Sequence, residues 1–212
     1  MFALEVEYLM SKVYAGDFRD RGEAEWPPHP ARLFSALASA CFETEMGSEA
    51  TAALQWLEQQ PSPAISVPDS EECARYSGFV PTNYIDKNGI HTKQPRQFPA
   101  TTLSDSPVYF IWHDAAPSPE IATALDSIAA RVAYLGKSAS FVRIRSTQQV
   151  PPATLVPSDT GDMVLRVPTI GRLEGDSRPS TEYRLRQNSR GVARNGSGRC
   201  RACCRVRARP AG

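Results

Sequence analysis

The chain has 212 residues, 41% of them hydrophobic, and 24 Lys and Arg against 23 Asp and Glu give a net charge of +1. That is apolar matter for one ordinary domain with an appendage, or for two small ones, and the bulk charge points to no partner. No apolar run approaches the ~20 residues of a membrane span, Glu5 and Glu7 stand where a signal peptide has its basic region and apolar core, and five cysteines do not suggest a secreted disulfide framework, so a cytoplasmic protein with no membrane partner is expected.

Residues 2–9 alternate, with Phe2, Leu4, Val6 and Tyr8 on one face and Ala3, Glu5 and Glu7 on the other, which predicts a half-buried strand. Residues 11–24 are polar and charged and read as a loop. The stretch Glu25-Trp26-Pro27-Pro28-His29-Pro30 follows. Its prolines fix their own φ, and Pro28 and Pro30 push the residues before them towards extended backbone. Pro30 suits the first turn of a helix. Leu33, Phe34, Leu37, Ala40 and Cys41 then form one apolar face at helical period, predicting a helix over 30–46. Gly47 ends it, and Ser48 is placed to cap a second helix running to Gln60, with Leu54 and Leu57 inward. Pro61 and Pro63 stop that helix.

Short strands are predicted at 64–67 and at Phe79–Val80. Residues 81–106 hold the turn signal Asn88-Gly89 and few aliphatics, and read as a long mobile surface excursion. The run 107–113 predicts a strand buried on both faces. Ile121, Leu125, Ile128, Val132 and Leu135 predict a helix over 118–135, ended by Gly136. Residues 140–146 alternate, with Arg143 and Arg145 on one face. Prolines 151, 152 and 157 mark a loop, and 162–168 make a last strand. Trp26, Trp56 and Trp112 are expected to anchor the core. The order strand, helix, strand, strand, helix, strand predicts an α+β, ferredoxin-like antiparallel sheet with two main helices on one face and the other face open. The domain is expected to span 1–172. Eleven arginines lie between Arg172 and Arg209, so 173–212 read as an Arg-rich tail, disordered or out of frame.

Several residues carry candidate chemistry. His29 sits where a helix N-terminus favours anions. It is either a general acid/base for RNA cleavage or a loop histidine that orders the proline turn. Arg32, in the first turn, either clamps a phosphate or pairs with Glu25 or Glu23. Arg143 and Arg145 suit an RNA backbone or an ordinary solvated strand face. Lys93 and Arg96, with Phe98 between prolines, interleave charge and a ring as single-strand binders do, or Phe98 anchors a loop. Lys137 and Ser138 follow Gly136 in a turn that is no Walker motif. Cys200, Cys203 and Cys204 lack a fourth ligand, so neither metal nor cofactor is expected. Cys41 and Cys73 have no catalytic company.

Phe2–Leu9, Glu25–Leu37, Leu54–Glu58, Phe79–Asn83, Lys93–Pro99, Val108–Trp112 and Arg131–Ser138 together resemble the RAMP superfamily of CRISPR-associated proteins. More narrowly the chain is similar to the N-terminal half of the fused Cas-five/Cas-six proteins of type I-U (I-G) systems, collinearly over most of 1–172, and the likeness stops at Glu174. The resemblance implies a CRISPR RNA-binding subunit of a Cascade-like effector, with CRISPR RNA and other Cascade subunits as partners. Arg32, Lys93, Arg96, Phe98, Lys137, Arg143 and Arg145 are then the expected RNA contacts. The alternatives are a metal-independent endoribonuclease centred on His29, or an inactive fragment of the fusion.

Overall fold

The structure, a computed structural model, describes residues 1–20, 22–44, 46–73, 76–85, 87–104, 107–173 and 181–188. The alternating N-terminus forms β1 (Phe2–Tyr8), and β2 (Lys12–Val13) lies in the segment read as loop. The proline bracket opens α1 (Pro30–Glu43), with His29 as N-cap in extended backbone and Pro30 at the first helical position. Leu33, Phe34, Leu37, Ala40 and Cys41 are all buried, as their spacing predicts. α2 (Gly47–Glu58) starts two residues earlier than a Ser48 cap implies. Gly47 takes φ +83° at its start, and Met46 rather than Ser48 is its N-cap.

Residues 61–106 depart most from the sequence reading. β3 (Ala64–Ser66) is a predicted strand, and the strand predicted at Phe79–Val80 lies within the longer β5 (Tyr76–Ile85), but β4 (Ser70–Glu72) has no counterpart in the sequence reading, and the end of β5, β6 (His91–Phe98) and β7 (Thr101–Leu103) replace the surface excursion read over 81–106. β5 and β6 form a long hairpin around Asn88-Gly89, with Gly89 at φ +75°. β7 pairs with both β2 and β4 in a small three-stranded sheet. The hairpin buries little on either face, so its ladder leaves no apolar alternation to read.

β8 (Val108–Trp112) is the expected buried strand. α3 (Pro119–Ala129) is capped by Ser118, whose Oγ accepts the Ile121 N–H. The helix stops six residues short of the predicted end, although Val132 and Leu135 stay buried. Their neighbours' backbone groups are taken elsewhere: Val142 N–H donates to Ala133 O and Leu135 N–H to Ser140 O, which ties the segment to the start of β9 (Val142–Thr147). β10 (Leu155–Pro157), β11 (Met163–Val167) and β12 (Thr181–Gln187) complete the chain.

The main sheet has seven strands in the order β11-β12-β10-β3-β8-β1-β9, every neighbouring pair antiparallel. Three helices, not two, share a core with it. Leu4, Val6, Ile65 and Phe110 from the strands meet Leu33, Leu37, Leu54 and Leu125 from the helices. The opposite face is not open throughout. The chain between β9 and β10 must pass β1, β8 and β3, and Ala153 packs there on Ala3, Ala64 and Ile111. Trp112 is buried, and Trp26 and Trp56 pack half-buried against the core.

The structure also moves the end of the domain. β12 lies inside 173–212, yet it pairs with both β10 and β11, and Leu185 is fully buried. Residues 189–212, with Cys200, Cys203 and Cys204, lie outside the described residues. Gly161 allows β12 its position: a Cβ there would stand 2.1 Å from the Leu185 carbonyl oxygen. Gly161→Ala is therefore expected to destabilise the protein by about 3 kcal/mol, the upper end for overpacking because backbone rather than a side-chain tip must yield. A lowered urea midpoint with an unchanged slope checks this.

Candidate functional site

At the start of α1 lies a carboxylate with almost no water. Glu25 is 1% exposed and accepts from Arg32 Nε (2.7 Å) and Nη2. This fork-to-fork geometry holds the guanidinium rigidly, and the hydrogen bond to Glu25 raises the Arg32 pKa. Of the two readings of Arg32, the structure shows the ion pair. It also shows an edge left over. Gly136, at φ +88°, sits against that edge; a Cβ there would lie 3.2 Å from Arg32 Nη1 and 3.3 Å from its Cδ. The next residue, Lys137, holds its Nζ 4.9 Å from the centroid of the Phe98 ring. Burial, then the Arg32 charge, lowers the Lys137 pKa. Arg32 from α1, Lys137 from the turn before β9 and Phe98 from the end of β6 thus converge, although they lie far apart in the chain.

His29 differs from its expected setting. The backbone places it at the helix mouth, but the side chain is 3% exposed, with the edge of the Phe18 ring against it at 5.7 Å between centroids. Its Nδ1 is buried without a hydrogen-bond partner. Burial pushes its pKa below 6.5, more than Glu25 opposes. A histidine depressed in the folded state is protonated first in the unfolded chain. Its contribution to stability is complete above about pH 6.5 and is lost as pH falls through the folded value. His29→Gln is expected to flatten that acid-side loss, seen as a smaller difference between urea midpoints at about pH 7 and about pH 5.

Tyr8 was not singled out by sequence reasoning. Its phenol is buried without a partner beside Glu25 and Arg32, and burial, then Glu25, pushes its pKa far up. Its only sequence signal was its place on the apolar face of β1.

The other predicted contacts stand elsewhere. Arg143 and Arg145 do share an exposed face of β9, but the register sets them opposite Glu7 and Glu5 of β1. Arg143 Nε donates to Glu7 at 3.0 Å and Arg145 Nε to Glu5 at 2.9 Å. The face is a ladder of ion pairs, the solvated-strand alternative, and not a free cationic stripe. Lys93 and Arg96 are exposed on β6. They lie opposite Pro81 and Gly78, an odd number of residues apart, so they project from opposite faces of the hairpin. Arg96 shares its face with Phe98; Lys93 shares the other with Phe79. Phe79, from the predicted strand, and Tyr84, from the predicted excursion, are 71% and 67% exposed hairpin aromatics to which the sequence reading gave no binding role. Among the described residues no three His, Cys, Asp or Glu side chains gather to hold a metal, and no helix is long and apolar enough to cross a membrane. Cys41 is buried, and Cys73 Sγ lies 2.7 Å from Thr102 Oγ1.

A sequence match over most of the chain puts this protein, with its large antiparallel sheet and three helices, among the CRISPR-associated proteins. It belongs to the family described as CRISPR-associated protein, GSU0054 family, matched over residues 1–192. The match runs past Glu174, where the resemblance was expected to stop, and takes in β12. The crystal structure of a CRISPR protein from Archaeoglobus fulgidus is similar over 89% of this chain and 86% of that one, at 12% identity and a TM-score of 0.39, too low for the folds to be equated. No curated protein matches the chain.

Proposed function

We propose that the protein is a CRISPR RNA-binding subunit of a type I-U, Cascade-like effector complex in the cytoplasm, serving CRISPR RNA maturation or assembly. The observation that carries this reading is the convergence of Arg32, Lys137 and Phe98: two cations and a ring that the sequence offered separately. Cations take phosphates while a ring edge or face takes a base. The exposed hairpin extends the surface through Lys93 and Arg96, and Arg143 and Arg145 contribute less because their acids already neutralise them. The fold is consistent with it. Four adjacent strands run β9-β1-β8-β3, with α1 and α2 between β1 and β3 and α3 between β8 and β9. We read that order as a ferredoxin-like arrangement of interlocked strand–helix–strand halves, of the kind that recognises RNA elsewhere. A metal-independent endoribonuclease built on His29 has less support, since a ribose 2′-OH and its scissile phosphate would both have to reach an imidazole that is 3% exposed.

The test is binding of the purified chain to labelled repeat RNA from a neighbouring CRISPR array, in EDTA, at several salt concentrations. Lys137→Ala is expected to weaken binding and to reduce the salt slope by about 1, and Arg143→Ala to change either less. No salt-dependent binding would overturn the reading. Cleavage that His29→Ala abolishes would replace it with the endoribonuclease.

A further inference from the structure

We propose that His29 and Arg166 form an anion site, separate from Arg32 and Lys137, that takes a phosphate group at the N-terminus of α1. The side chain of Arg166, on β11, makes no hydrogen bond or ion pair among the described residues, and its Nε is buried without a partner. Its guanidinium carbon lies 4.2 Å from the centroid of the Phe18 ring. The same ring meets His29, whose Nδ1 is the other unpartnered buried atom here. Two orphaned polar atoms on one ring need one explanation, because buried polar groups are nearly always satisfied.

The chemistry of the two atoms selects the ligand. Arginine Nε–H donates and never accepts, and imidazole Nδ1 donates in one of its neutral tautomers. The first turn of the fourteen-residue α1 adds the positive end of its dipole at His29. Donors and partial positive charge together ask for an anionic oxygen, and phosphate supplies several. The nearby acids are engaged. Glu25 is held by Arg32, and Glu182 by Arg19 at 3.2 Å. Asp17, which also acts on His29, accepts the backbone N–H of Arg19 at 2.7 Å and that of Asp20 at 3.3 Å through Oδ1. That leaves Arg166 as a half-buried cation without an ion pair of its own, stacked on Phe18 and set across the ladder from Glu182, which Arg19 holds. A water would satisfy the donors but not the charge. The Phe18 ring is half-buried, and Arg19 stacks on it as well, with its guanidinium carbon 4.9 Å from the centroid.

The source is either free phosphate or an RNA backbone, and the site does not depend on the RNA reading above. The imidazole resonances of the full chain are followed by NMR during titration with inorganic phosphate, at constant ionic strength against chloride. Its three histidines are told apart with His29→Gln. The expected result is a saturable shift of the His29 signals. The apparent affinity should fall about tenfold or more in Arg166→Gln, fall less in Arg166→Lys, which keeps the charge, and stay unchanged in Lys137→Ala. A short single-stranded RNA that moves the same signals and displaces phosphate makes RNA the source. RNA that leaves them still makes it free phosphate. The site is overturned if phosphate produces no saturable shift, or if the shift survives Arg166→Gln unchanged.

Discussion

Ending the chain after Arg172 is expected to abolish its cooperative melt, whereas ending it after Asn188 preserves one. Among the described residues β12 is the sole strand neighbour of β11 and one of two neighbours of β10. Its removal strips two strands of partners and exposes Leu165, which is 2% exposed in the intact sheet. Leu185 and the half-buried Tyr183 leave with it. Each such side chain contributes about 1.5–3 kcal/mol by burial alone, so the three together approach the roughly 5–15 kcal/mol that holds a domain folded. Urea unfolding followed by two probes gives the answer: coincident transitions for 1–188, and a broad or absent one for 1–172. Leu185→Ala in the full chain is the milder version, with an expected loss of about 2–5 kcal/mol. A cooperative 1–172 fragment of undiminished stability would show that β12 merely decorates the edge.

That result bears on what a sequence can reveal. Tyr183 and Leu185 alternate with Arg184 and Arg186, a strand pattern like that of β9. In β9 the alternation stood out from a mixed background and placed Arg143 and Arg145 on one face. In β12 the same signal was submerged by the arginines around it, and composition won over periodicity. The hairpin failed for another reason. Thr82, Lys93 and Pro95 build strands that no core covers, and period-two reading needs a buried face. Only Asn88-Gly89 was legible there. At the site, the helix start and its cap were local and readable. Phe18 and Tyr8 were not, because what lies over the first turn of α1 is decided by long-range packing. The sealing of His29 and the exclusion of water around Glu25 are both of that kind.

The burial of Glu25 makes Arg32→Ala the other large effect: a loss of about 3 kcal/mol, with the range for breaking a buried pair running to about 5. The lower end applies because the Arg32 side chain is 28% exposed and water can follow it in. Helix propensity works the other way, since alanine is the better former, so the loss belongs to the stranded carboxylate. Two controls separate the causes. Glu25→Leu with Arg32→Leu removes both charges, and replacing an entire buried pair with apolar groups is often neutral or favourable. It is expected to recover most of the loss in a urea melt. Glu25→Ala, Arg32→Ala and their double variant close a cycle, whose coupling measures the pair itself. An additive double variant would mean that Glu25 finds water in the folded protein. The cycle also disciplines the RNA experiment. Weak binding by Arg32→Ala mixes a lost phosphate contact with a destabilised helix start, whereas Lys137 has no buried acid to strand. A deficit in Lys137→Ala is therefore read as contact, and one in Arg32→Ala only after the melt has been subtracted.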